Sequence, residues 1–257
     1  MTENPSRNIL VTGAGSGIGR GLCIELVRRG HFVRASDLDM IAAEETVGLL
    51  PDVAKGEAVR LDVTSAGDIG SLMHASREQP VEVLINNAGL QQVSPIESFS
   101  EEKWSQIIDV MLQGAFRMMQ GVLPMMKERG FGRIVNIGSV HSLVASPYKS
   151  AYVAAKHGLQ GLGKSVALET AKLDITVNEI CPAYVRTPLV DKQIADQAAA
   201  HGISPEKVIE KIMLAPMPKK TFITIEEIAA AIEFLISPAA RNITGQSIVI
   251  DGGWTAR

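Results

Sequence analysis

The chain has 257 residues, of which 46% are hydrophobic, 21% charged and 4% aromatic. Its 25 basic and 28 acidic side chains leave a net charge of −3, which gives no strong field to attract nucleic acid or an anionic membrane. This composition excludes collagen-like, disordered and coiled-coil proteins. The polar start MTENPSRN has no apolar signal core, and no apolar run reaches the ~18–20 residues of a membrane span. We therefore expect a cytoplasmic protein without nucleic-acid or membrane partners.

The cysteines and most histidines show no metal-ligand spacing. Cys23 and Cys181 each lie in an apolar stretch, which favours two buried thiols over a disulfide framework. Four histidines are scattered along the chain, at His31, His74, His157 and His201. The sequence therefore predicts no metal site.

Short β-branched runs alternate with longer helical patterns along the chain. The predicted strands are Asn8–Thr12, His31–Ser36, Ala58–Val63, Val81–Asn86, Arg133–Ser139, Asp174–Cys181 and Ser247–Asp251. The predicted helices cover about 18–29, 39–49, 66–78, 101–128, 150–172 and 225–236. Several strands are nearly continuous apolar runs, which is typical of parallel strands buried on both faces. Right-handed crossovers then predict a Rossmann-type α/β fold, with a doubly wound, parallel, seven-stranded sheet and helices on both faces.

One segment interrupts this alternation. Residues 188–221 form a helix-rich excursion that contains Pro205, Pro216 and Pro218. Long insertions of this kind often act as active-site lids. We therefore expect one domain over residues 1–257, with this excursion as a lid over the substrate.

A glycine-rich loop, TGAGSGIG at residues 12–19, joins the first predicted strand to a helix start. It does not fit a strict G-x-G-x-x-G pattern but fits T-G-x-x-x-G-x-G. Glycines let the backbone approach phosphates, and a helix N-terminus presents free N–H groups and the positive end of its dipole. The loop therefore predicts a dinucleotide site, with candidate residues Thr12, Gly13, Ser16, Gly17, Ile18 and Gly19.

Asp37 closes the second predicted strand, where an acidic side chain can accept hydrogen bonds from both ribose hydroxyls. Its charge would repel a 2′-phosphate, and Leu38 rather than a basic residue follows it. Arg34 is three positions earlier and faces the other side of the strand. The sequence therefore favours NAD over NADP.

A Tyr-x-x-x-Lys pair begins the long helical pattern near residue 150. The i, i+4 spacing places Tyr152 and Lys156 on one face of that helix, and Ser139 ends the fifth predicted strand. Ligands of such sheets bind beyond the carboxyl ends of the strands. A free Tyr has a pKa of ~10, and a neighbouring ammonium favours its phenolate. The three side chains therefore predict an acid–base site in which Ser139 holds the substrate oxygen and Tyr152 moves its proton.

These motifs, with NNAG at Asn86–Gly89 and a turn at Pro182, stand in the order found in the short-chain dehydrogenase/reductase family. The chain resembles that family over essentially its whole length. The resemblance implies that Lys156 also binds the nicotinamide ribose, and that the enzyme is a homotetramer built on the helix of Tyr152 and the C-terminal strand. It adds these implied cofactor residues: Asp62, Val63, Asn86, Ala88, Gly89, Tyr152, Pro182, Val185 and Thr187.

Within the family the chain is most similar to the D-3-hydroxybutyrate dehydrogenases. AGLQ at 88–91, SVH at 139–141, the Lys three residues before Tyr152 and LVDKQI at 189–194 carry this similarity. In that group a short hydroxy acid is held by its carboxylate, and a small anion in a desolvated pocket needs a cation and several donors. The implied substrate residues are Gln91, Ser139, His141, Lys149, Tyr152 and Gln193.

The chain departs from the family pattern at two positions. Met111 stands where the family usually carries an Asn that anchors a water of the proton relay, partly through a helix kink. Met neither donates nor accepts strongly. Ala183 replaces a Gly in the turn after Pro182. The relay is therefore weakened, rerouted or replaced, unless another residue aligns with the Asn.

Alternatives remain open at this stage. The enzyme could reduce 3-oxoacyl thioesters or oxidise another small alcohol, and Met111 leaves room for a catalytically silent NAD(H)-binding protein. A purely structural role would leave the glycine loop and the Ser-Tyr-Lys set without a purpose. Lys149 and Gln193 also fit solvated positions, and His141 fits a loop histidine bound by backbone.

Overall fold

The computed structural model describes residues 5–187, 190–191, 194–195, 198 and 202–256. Within them, seven strands pair in parallel in the order β3-β2-β1-β4-β5-β6-β7. The strands are β1 Asn8–Thr12, β2 Phe32–Asp37, β3 Gly56–Arg60, β4 Val83–Asn86, β5 Phe131–Ile137, β6 Asp174–Pro182 and β7 Ser247–Ile250. The order reverses beside β1, which confirms the predicted doubly wound sheet.

Helices connect the strands and cover both faces of the sheet. In the described part of the chain they are α1 Gly17–Arg28, α2 Met40–Gly48, α3 Ala66–Ala75, α4 Glu101–Ile108, α5 Gly114–Arg129, α6 Ser150–Thr170, α7 Pro205–Val208 and α8 Ile225–Ile236. Side chains alternate between the faces along each strand, so Ile9 packs in one apolar cluster with α1 and α8. The adjacent Leu10 packs in a second cluster with α5 and α6. Both faces are therefore buried, as the apolar strand runs predicted.

The prediction of one helix over 101–128 is wrong. A π-helical turn at Asp109–Gln113 separates α4 from α5. A π-turn inserts one extra residue and shifts the helical register. The chain is helical on both sides of it, so the sequence pattern alone does not reveal the turn. Gly114 follows the turn and lets the helix approach Val63, whose Cγ2 lies 2.8 Å from where a Cβ at residue 114 would stand. Met111 lies within this π-helical turn.

The prediction that Ser139 ends a strand is also wrong. Strand β5 ends at Ile137, and Ser139 lies in the turn before a short 3₁₀ helix at Val140–Ser142. Of the other strands, only β1 has the predicted bounds. Strand β2 runs through Asp37 itself, and β3 covers Gly56–Arg60 instead of Ala58–Val63. One end of each of β4, β6 and β7 differs by one or two residues. All of these segments still meet at the carboxyl edge of the sheet.

The excursion at 188–221 is described in part. Its described residues include helical positions 190–191, 194–195 and 198, then α7, then a second π-helical turn at Ile209–Met213. Ile194, Val208 and Met213 form a small apolar cluster of their own. Gln193 lies outside the described residues, and the function of the excursion as a lid stays a prediction.

Cys23 and Cys181 are buried free thiols, as predicted. None of the helices in the described ranges has the length and apolar character to cross a membrane. Across those same ranges, no three His, Cys, Asp or Glu side chains lie close enough together to hold a metal ion.

Candidate active site

A cavity of about 480 Å³ opens at the carboxyl ends of the strands, where the strand order reverses between β1 and β4. This is the size and position typical of ligand sites in open α/β sheets. The predicted site residues that line it are Gly13, Ser16, Gly17, Ile18, Asp37, Gly89, Gln91, Ser139, His141, Lys149, Tyr152, Lys156, Pro182, Val185 and Thr187. Those that do not line it are Thr12, Gly19, Asp62, Val63, Asn86 and Ala88. The structure therefore brings the glycine loop and the Ser-Tyr-Lys set into one cavity.

The glycine loop has the geometry of an anion cradle. Gly13 has a φ of +63°, and a Cβ there would stand 2.7 Å from the Cα of Ala88. A Cβ at Gly19 would stand 2.2 Å from the Gly13 carbonyl oxygen, so both positions require glycine. Helix α1 begins at Gly17, with no side-chain hydrogen bond from Ser16 and no acidic residue in its first turn. Its first N–H groups are therefore available to an anion such as a dinucleotide phosphate.

Thr12, which is a predicted contact residue, and Asn87, which is not, tie this loop to β4. The Thr12 hydroxyl accepts hydrogen bonds from the backbone N–H groups of Asn87 and Ala88, at 3.0 and 3.1 Å. The Asn87 amide donates to the carbonyl oxygens of Thr12 and Gly13, each at 2.9 Å. Asn87 also lines the cavity. Asn87 is not among the residues predicted from the sequence, although its place inside NNAG is a usable signal.

Asp37 faces the cavity in a fixed orientation. Its carboxylate accepts from the backbone N–H of Gly15 at 2.8 Å and from that of Asp39 at 3.1 Å. Two basic side chains near it are already paired. Arg34 donates to Glu57 at 2.8 Å, and Arg20 donates to Glu45 at 3.0 Å. In the described part of the chain, no basic side chain forms a salt bridge with Asp37.

Asp62 and Val63 lie behind the cavity rather than in its lining. The Asp62 carboxylate accepts from both the backbone and the hydroxyl of Thr64, at 2.8 and 2.7 Å. Val63 is buried against the π-helical turn. The contact with the cofactor that the family resemblance implies for Asp62 and Val63 is not part of the observed cavity lining and stays a prediction.

The three predicted reacting side chains converge in the middle of the cavity. Ser139 hydrogen-bonds to the Tyr152 hydroxyl, which opposes the rise that burial causes in the pKa of Tyr152. Lys156 lies with its Nζ 5.6 Å from the centre of the Tyr152 ring and donates to the carbonyl oxygen of Ile137. Burial lowers the pKa of Lys156 to about 8, against the opposing charge of Glu179. The arrangement holds a hydroxyl, a phenol and an ammonium within reach of one another.

His141 is a neutral donor and acceptor beside this set. Its Nδ1 is 3.4 Å from the Ser139 hydroxyl, and its Nε2 is 2.8 Å from the hydroxyl of Ser146. Burial and the nearby charge of Lys149 lower the pKa of His141 to about 4. At neutral pH the imidazole is therefore uncharged and bonds to hydroxyls on both sides.

Lys149 brings a cation to the same wall. Its Nζ lies 5.8 Å from the centre of the Tyr184 ring, and burial lowers its pKa below the ordinary lysine value. Among the residues that the structure describes, no carboxylate comes within salt-bridge distance of Lys149. Within the described ranges, the cavity thus holds a half-buried ammonium without a protein counter-charge.

Trp254 lines the same side of the cavity as Lys149 and His141, and it is not among the residues predicted from the sequence. Its ring stacks on Tyr184 with centroids 5.9 Å apart, and it contacts His141 edge-on at 5.8 Å. Both Trp254 and Tyr184 line the cavity, so Tyr184 packs and also forms a wall. No local pattern near the end of the chain marks Trp254, because its partners are remote in sequence.

Met111 occupies the π-helical turn and is 3% exposed. It packs with Ala151, Ala155 and Tyr152 and lines the main cavity. It also lines a separate cavity of about 10 Å³, together with Asn86 and Lys156. That volume is close to the ~10–15 Å³ that one water molecule needs.

Comparisons with known proteins agree with this geometry. A family model described as enoyl-(acyl carrier protein) reductase matches residues 13–255. The chain is 44% identical to a D-beta-hydroxybutyrate dehydrogenase of Rhizobium meliloti, over 98% of the chain and 100% of that protein. It is 39% identical to a D-beta-hydroxybutyrate dehydrogenase of Cupriavidus necator, over 98% of each. A crystal structure of an actinorhodin polyketide ketoreductase variant with NADPH superposes with a TM-score of 0.91, at 32% identity over 98% of each chain.

Proposed function

Because the chain belongs to the short-chain dehydrogenase/reductase family, we propose that this oxidoreductase converts D-3-hydroxybutyrate to acetoacetate with NAD. The observation that carries the substrate proposal is the unpaired Lys149 ammonium beside Ser139 and Tyr152. A short carboxylate supplies the charge that this wall lacks, since buried charges are stable only when paired. The two hydroxybutyrate dehydrogenases at 44% and 39% identity support the same substrate.

The protein groups divide the chemistry among them. Ser139 donates to the substrate oxygen, and Tyr152 takes the hydroxyl proton during oxidation and returns it during reduction. Lys156 stabilises the Tyr152 phenolate and holds the nicotinamide ribose. NAD, when bound, supplies the hydride acceptor. Lys149, His141, Gln91 and Gln193 hold the substrate carboxylate.

In the proposed function, the glycine loop and the residues around it bind the dinucleotide. The N-terminus of α1 faces the pyrophosphate, and the loop glycines let the backbone approach it. Thr12 and Ala88 act by holding the loop rather than by touching the ligand, since their hydrogen bonds are to each other. Asp37 accepts the ribose hydroxyls.

A panel of hydroxy acids and secondary alcohols, followed by NADH absorbance, tests the substrate proposal. We expect the highest kcat/KM for D-3-hydroxybutyrate. A higher kcat/KM for reduction of a 3-oxoacyl thioester would instead indicate that the enzyme is a ketoreductase. The ketoreductase that superposes on this chain keeps that second candidate open. The cation at Lys149 favours the acid, because a thioester carries no charge there.

We expect the wild type to prefer NAD over NADP. We expect Asp37→Asn to reduce this difference in kcat/KM by roughly ten- to a hundredfold, since bringing the Asp37 carboxylate and the 2′-phosphate of NADP together costs several kcal/mol. Asn keeps an oxygen for the Gly15 N–H but removes the charge that repels a 2′-phosphate. Asp39→Asn is the matched control, because it removes a charge nearby yet can still cap α2. An equal effect in both variants, or NADP preference in the wild type, would contradict the NAD assignment.

We expect the enzyme to be active with Met111 in place, and Met111→Asn to be neutral or mildly activating. A π-turn frees backbone carbonyls, and the adjoining cavity has about the volume of one water, so backbone groups rather than the side chain at 111 would hold that water. Met111→Leu is the matched apolar control and is expected to keep wild-type turnover. A wild type that binds NADH but turns over no substrate of the panel would instead indicate an NAD(H)-binding protein without activity.

We also propose a cytoplasmic homotetramer built on α6 and β7. Both elements carry exposed apolar side chains, with Leu168 of α6 80% exposed and Val249 of β7 39% exposed. Apolar groups exposed on an edge strand and its neighbouring helix are typical of a contact surface. A solution mass near four times the 27.5 kDa chain, measured by light scattering, is the expected result.

A further inference from the structure

A carboxylate lies buried behind the reacting residues, outside the cavity lining. Glu179 on β6 is 3% exposed, and it does not line the cavity. One of its oxygens accepts from the Ser142 hydroxyl at 2.9 Å, and the other accepts from the Ser247 hydroxyl at 3.3 Å. Burying a carboxylate is costly unless its surroundings compensate for lost hydration. The buried position of Glu179 therefore indicates that neighbouring groups are stabilised by its charge or by its hydrogen bonds.

The backbone beside Ser139 makes room for this carboxylate. A Cβ at Gly138 would stand 2.3 Å from Oε1 of Glu179. No side chain larger than a hydrogen fits at residue 138 while the carboxylate keeps its position. The turn that carries Ser139 and the carboxylate of Glu179 are thus fitted to each other.

A chain of hydrogen bonds joins Glu179 to Ser139. The Ser139 backbone N–H donates to the Ser142 hydroxyl at 3.3 Å, and the same hydroxyl donates to Glu179. The Ser142 backbone N–H donates back to the Ser139 carbonyl oxygen at 2.8 Å. The carboxylate fixes the Ser142 hydroxyl, and the hydroxyl then fixes the backbone of Ser139.

The charge of Glu179 also reaches the other two reacting groups. The negative charge of Glu179 raises the pKa of both Tyr152 and Lys156, which lie on α6. Burial raises the pKa of Glu179 itself, while the Ser142 hydrogen bond and the charge of Lys156 oppose that rise. Cys181 on its own strand is the other titratable neighbour, and the 3₁₀ turn and β7 contribute the hydroxyls of Ser142 and Ser247.

We propose that Glu179 is a positioning residue for the dehydrogenase reaction, which holds the Ser139 turn through Ser142 and places a negative charge behind the Tyr152–Lys156 pair. The proposal rests on the dehydrogenase activity proposed above but not on which alcohol is the substrate. Glu179 touches neither substrate nor cofactor in this scheme. Its effect is on where Ser139 stands and on the pH at which Tyr152 gives up its proton.

Glu179→Gln separates the charge from the hydrogen bond. Gln keeps an oxygen for the Ser142 hydroxyl and nearly the same volume, but it carries no charge. On the acid side Lys156 stays protonated, and without the charge of Glu179 the Tyr152 phenolate is more stable there, so the acid limb of kcat/KM for alcohol oxidation moves to lower pH. We expect a shift of roughly 0.5–1 pH unit at the distances and dielectric of a protein interior. Any secondary alcohol that the wild type oxidises serves for this measurement.

Asp174→Asn is the matched control. Asp174 begins the same strand, at the opposite edge of the sheet, and pairs with Arg133 at 2.8 Å. The substitution Asp174→Asn also removes one negative charge from β6, but Asp174 does not contact the turn of Ser139, so we expect no shift of the acid limb. An unshifted limb in Glu179→Gln, or an equal shift in both variants, would overturn the role of the charge.

Ser142→Ala tests the hydrogen-bonded link and remains decisive if Glu179→Gln does not fold. The variant removes only the hydroxyl between Glu179 and Ser139. We expect kcat to fall by roughly tenfold, in keeping with one lost hydrogen bond to a charged group. We expect Glu179→Ala to lose turnover that Glu179→Gln largely retains. Unchanged kcat in Ser142→Ala would overturn the positioning role.

A titration without substrate distinguishes failure here from failure of the proposed function. The chain has three tyrosines, so the tyrosinate absorbance of Tyr152 can be obtained as the difference between a protein and its Tyr152→Phe variant. If the wild type oxidised no alcohol, the dehydrogenase proposal would fail and this titration would decide on Glu179 alone. A lower pKa of Tyr152 in Glu179→Gln supports the inference, and an unchanged pKa refutes it.

Discussion

Tyr152→Phe is expected to lose turnover by roughly 10²–10⁴-fold, the usual contribution of general acid–base catalysis, while it binds NADH almost as the wild type does. The phenol is the group that moves the proton, and its ring stays to fill the same space. Its neighbours Ser139 and Lys156 keep their positions, since Ser139 is also hydrogen-bonded to Ser142 and Lys156 donates to the carbonyl oxygen of Ile137. Steady-state kinetics and NADH fluorescence titration measure the two effects separately.

Tyr148→Phe is the matched control for the same chemical change. Tyr148 is 58% exposed, lies just before α6 and does not line the cavity. We expect it to keep wild-type turnover. If Tyr152→Phe kept more than about one tenth of kcat, the general acid–base role would belong to another group.

Lys156→Ala is expected to differ from Tyr152→Phe by weakening NADH binding as well as turnover. The ammonium both stabilises the phenolate and reaches the cofactor ribose in the proposed scheme. With a pKa of about 8, Lys156 is mostly protonated at pH 7 and loses its charge as the pH rises through that value. The support that it gives to the Tyr152 phenolate is therefore largest on the neutral side of pH 8.

The parts of the site that could be predicted from sequence are those set by local patterns. The bounds of β1 follow from one β-branched run, and the loop after it follows from its glycine spacing. Tyr152 and Lys156 share a face of α6 because the i, i+4 rule needs no information from elsewhere in the chain. Asp37 could be placed because it ends a strand whose apolar pattern is clear.

The parts that could not be predicted depend on contacts between remote segments. The π-turn around Met111 changes the helical register by one residue, and the apolar pattern on either side does not record it. Trp254 enters the cavity only because the residues after β7 fold back onto Tyr184. Glu179 belongs to a strand with an otherwise apolar pattern, and its partners Ser142 and Ser247 come from two other elements.

Lys149→Ala is expected to reduce kcat/KM for D-3-hydroxybutyrate by roughly ten- to a hundredfold and to change it little for the methyl ester. A charge-assisted hydrogen bond contributes ~1.5–3 kcal/mol in a site with little water, and that energy converts to this factor. The ester keeps the same carbon skeleton and hydroxyl but has no charge for Lys149 to bind. Assays of acid and ester side by side therefore isolate the carboxylate contact.

The pH dependence of the wild type gives an independent expectation. Burial lowers the pKa of Lys149, so its ammonium is lost at a lower pH than that of an exposed lysine. We expect KM for the acid to rise as the pH increases through that value, while KM for the ester stays flat. In Lys149→Ala the rise for the acid should disappear.

Lys164→Ala is the matched control for this substitution. Lys164 lies on α6 with an exposed side chain outside the cavity, so the variant loses one positive charge from the same helix without altering the site. We expect it to affect neither substrate. Equal losses on acid and ester in Lys149→Ala would mean that Lys149 supports the fold or the proton transfer, and the carboxylate would then need another partner. A loss confined to the acid places the substrate carboxylate on the wall formed by Lys149, His141 and Tyr184, because a thioester or a neutral alcohol gains nothing from a cation at that position.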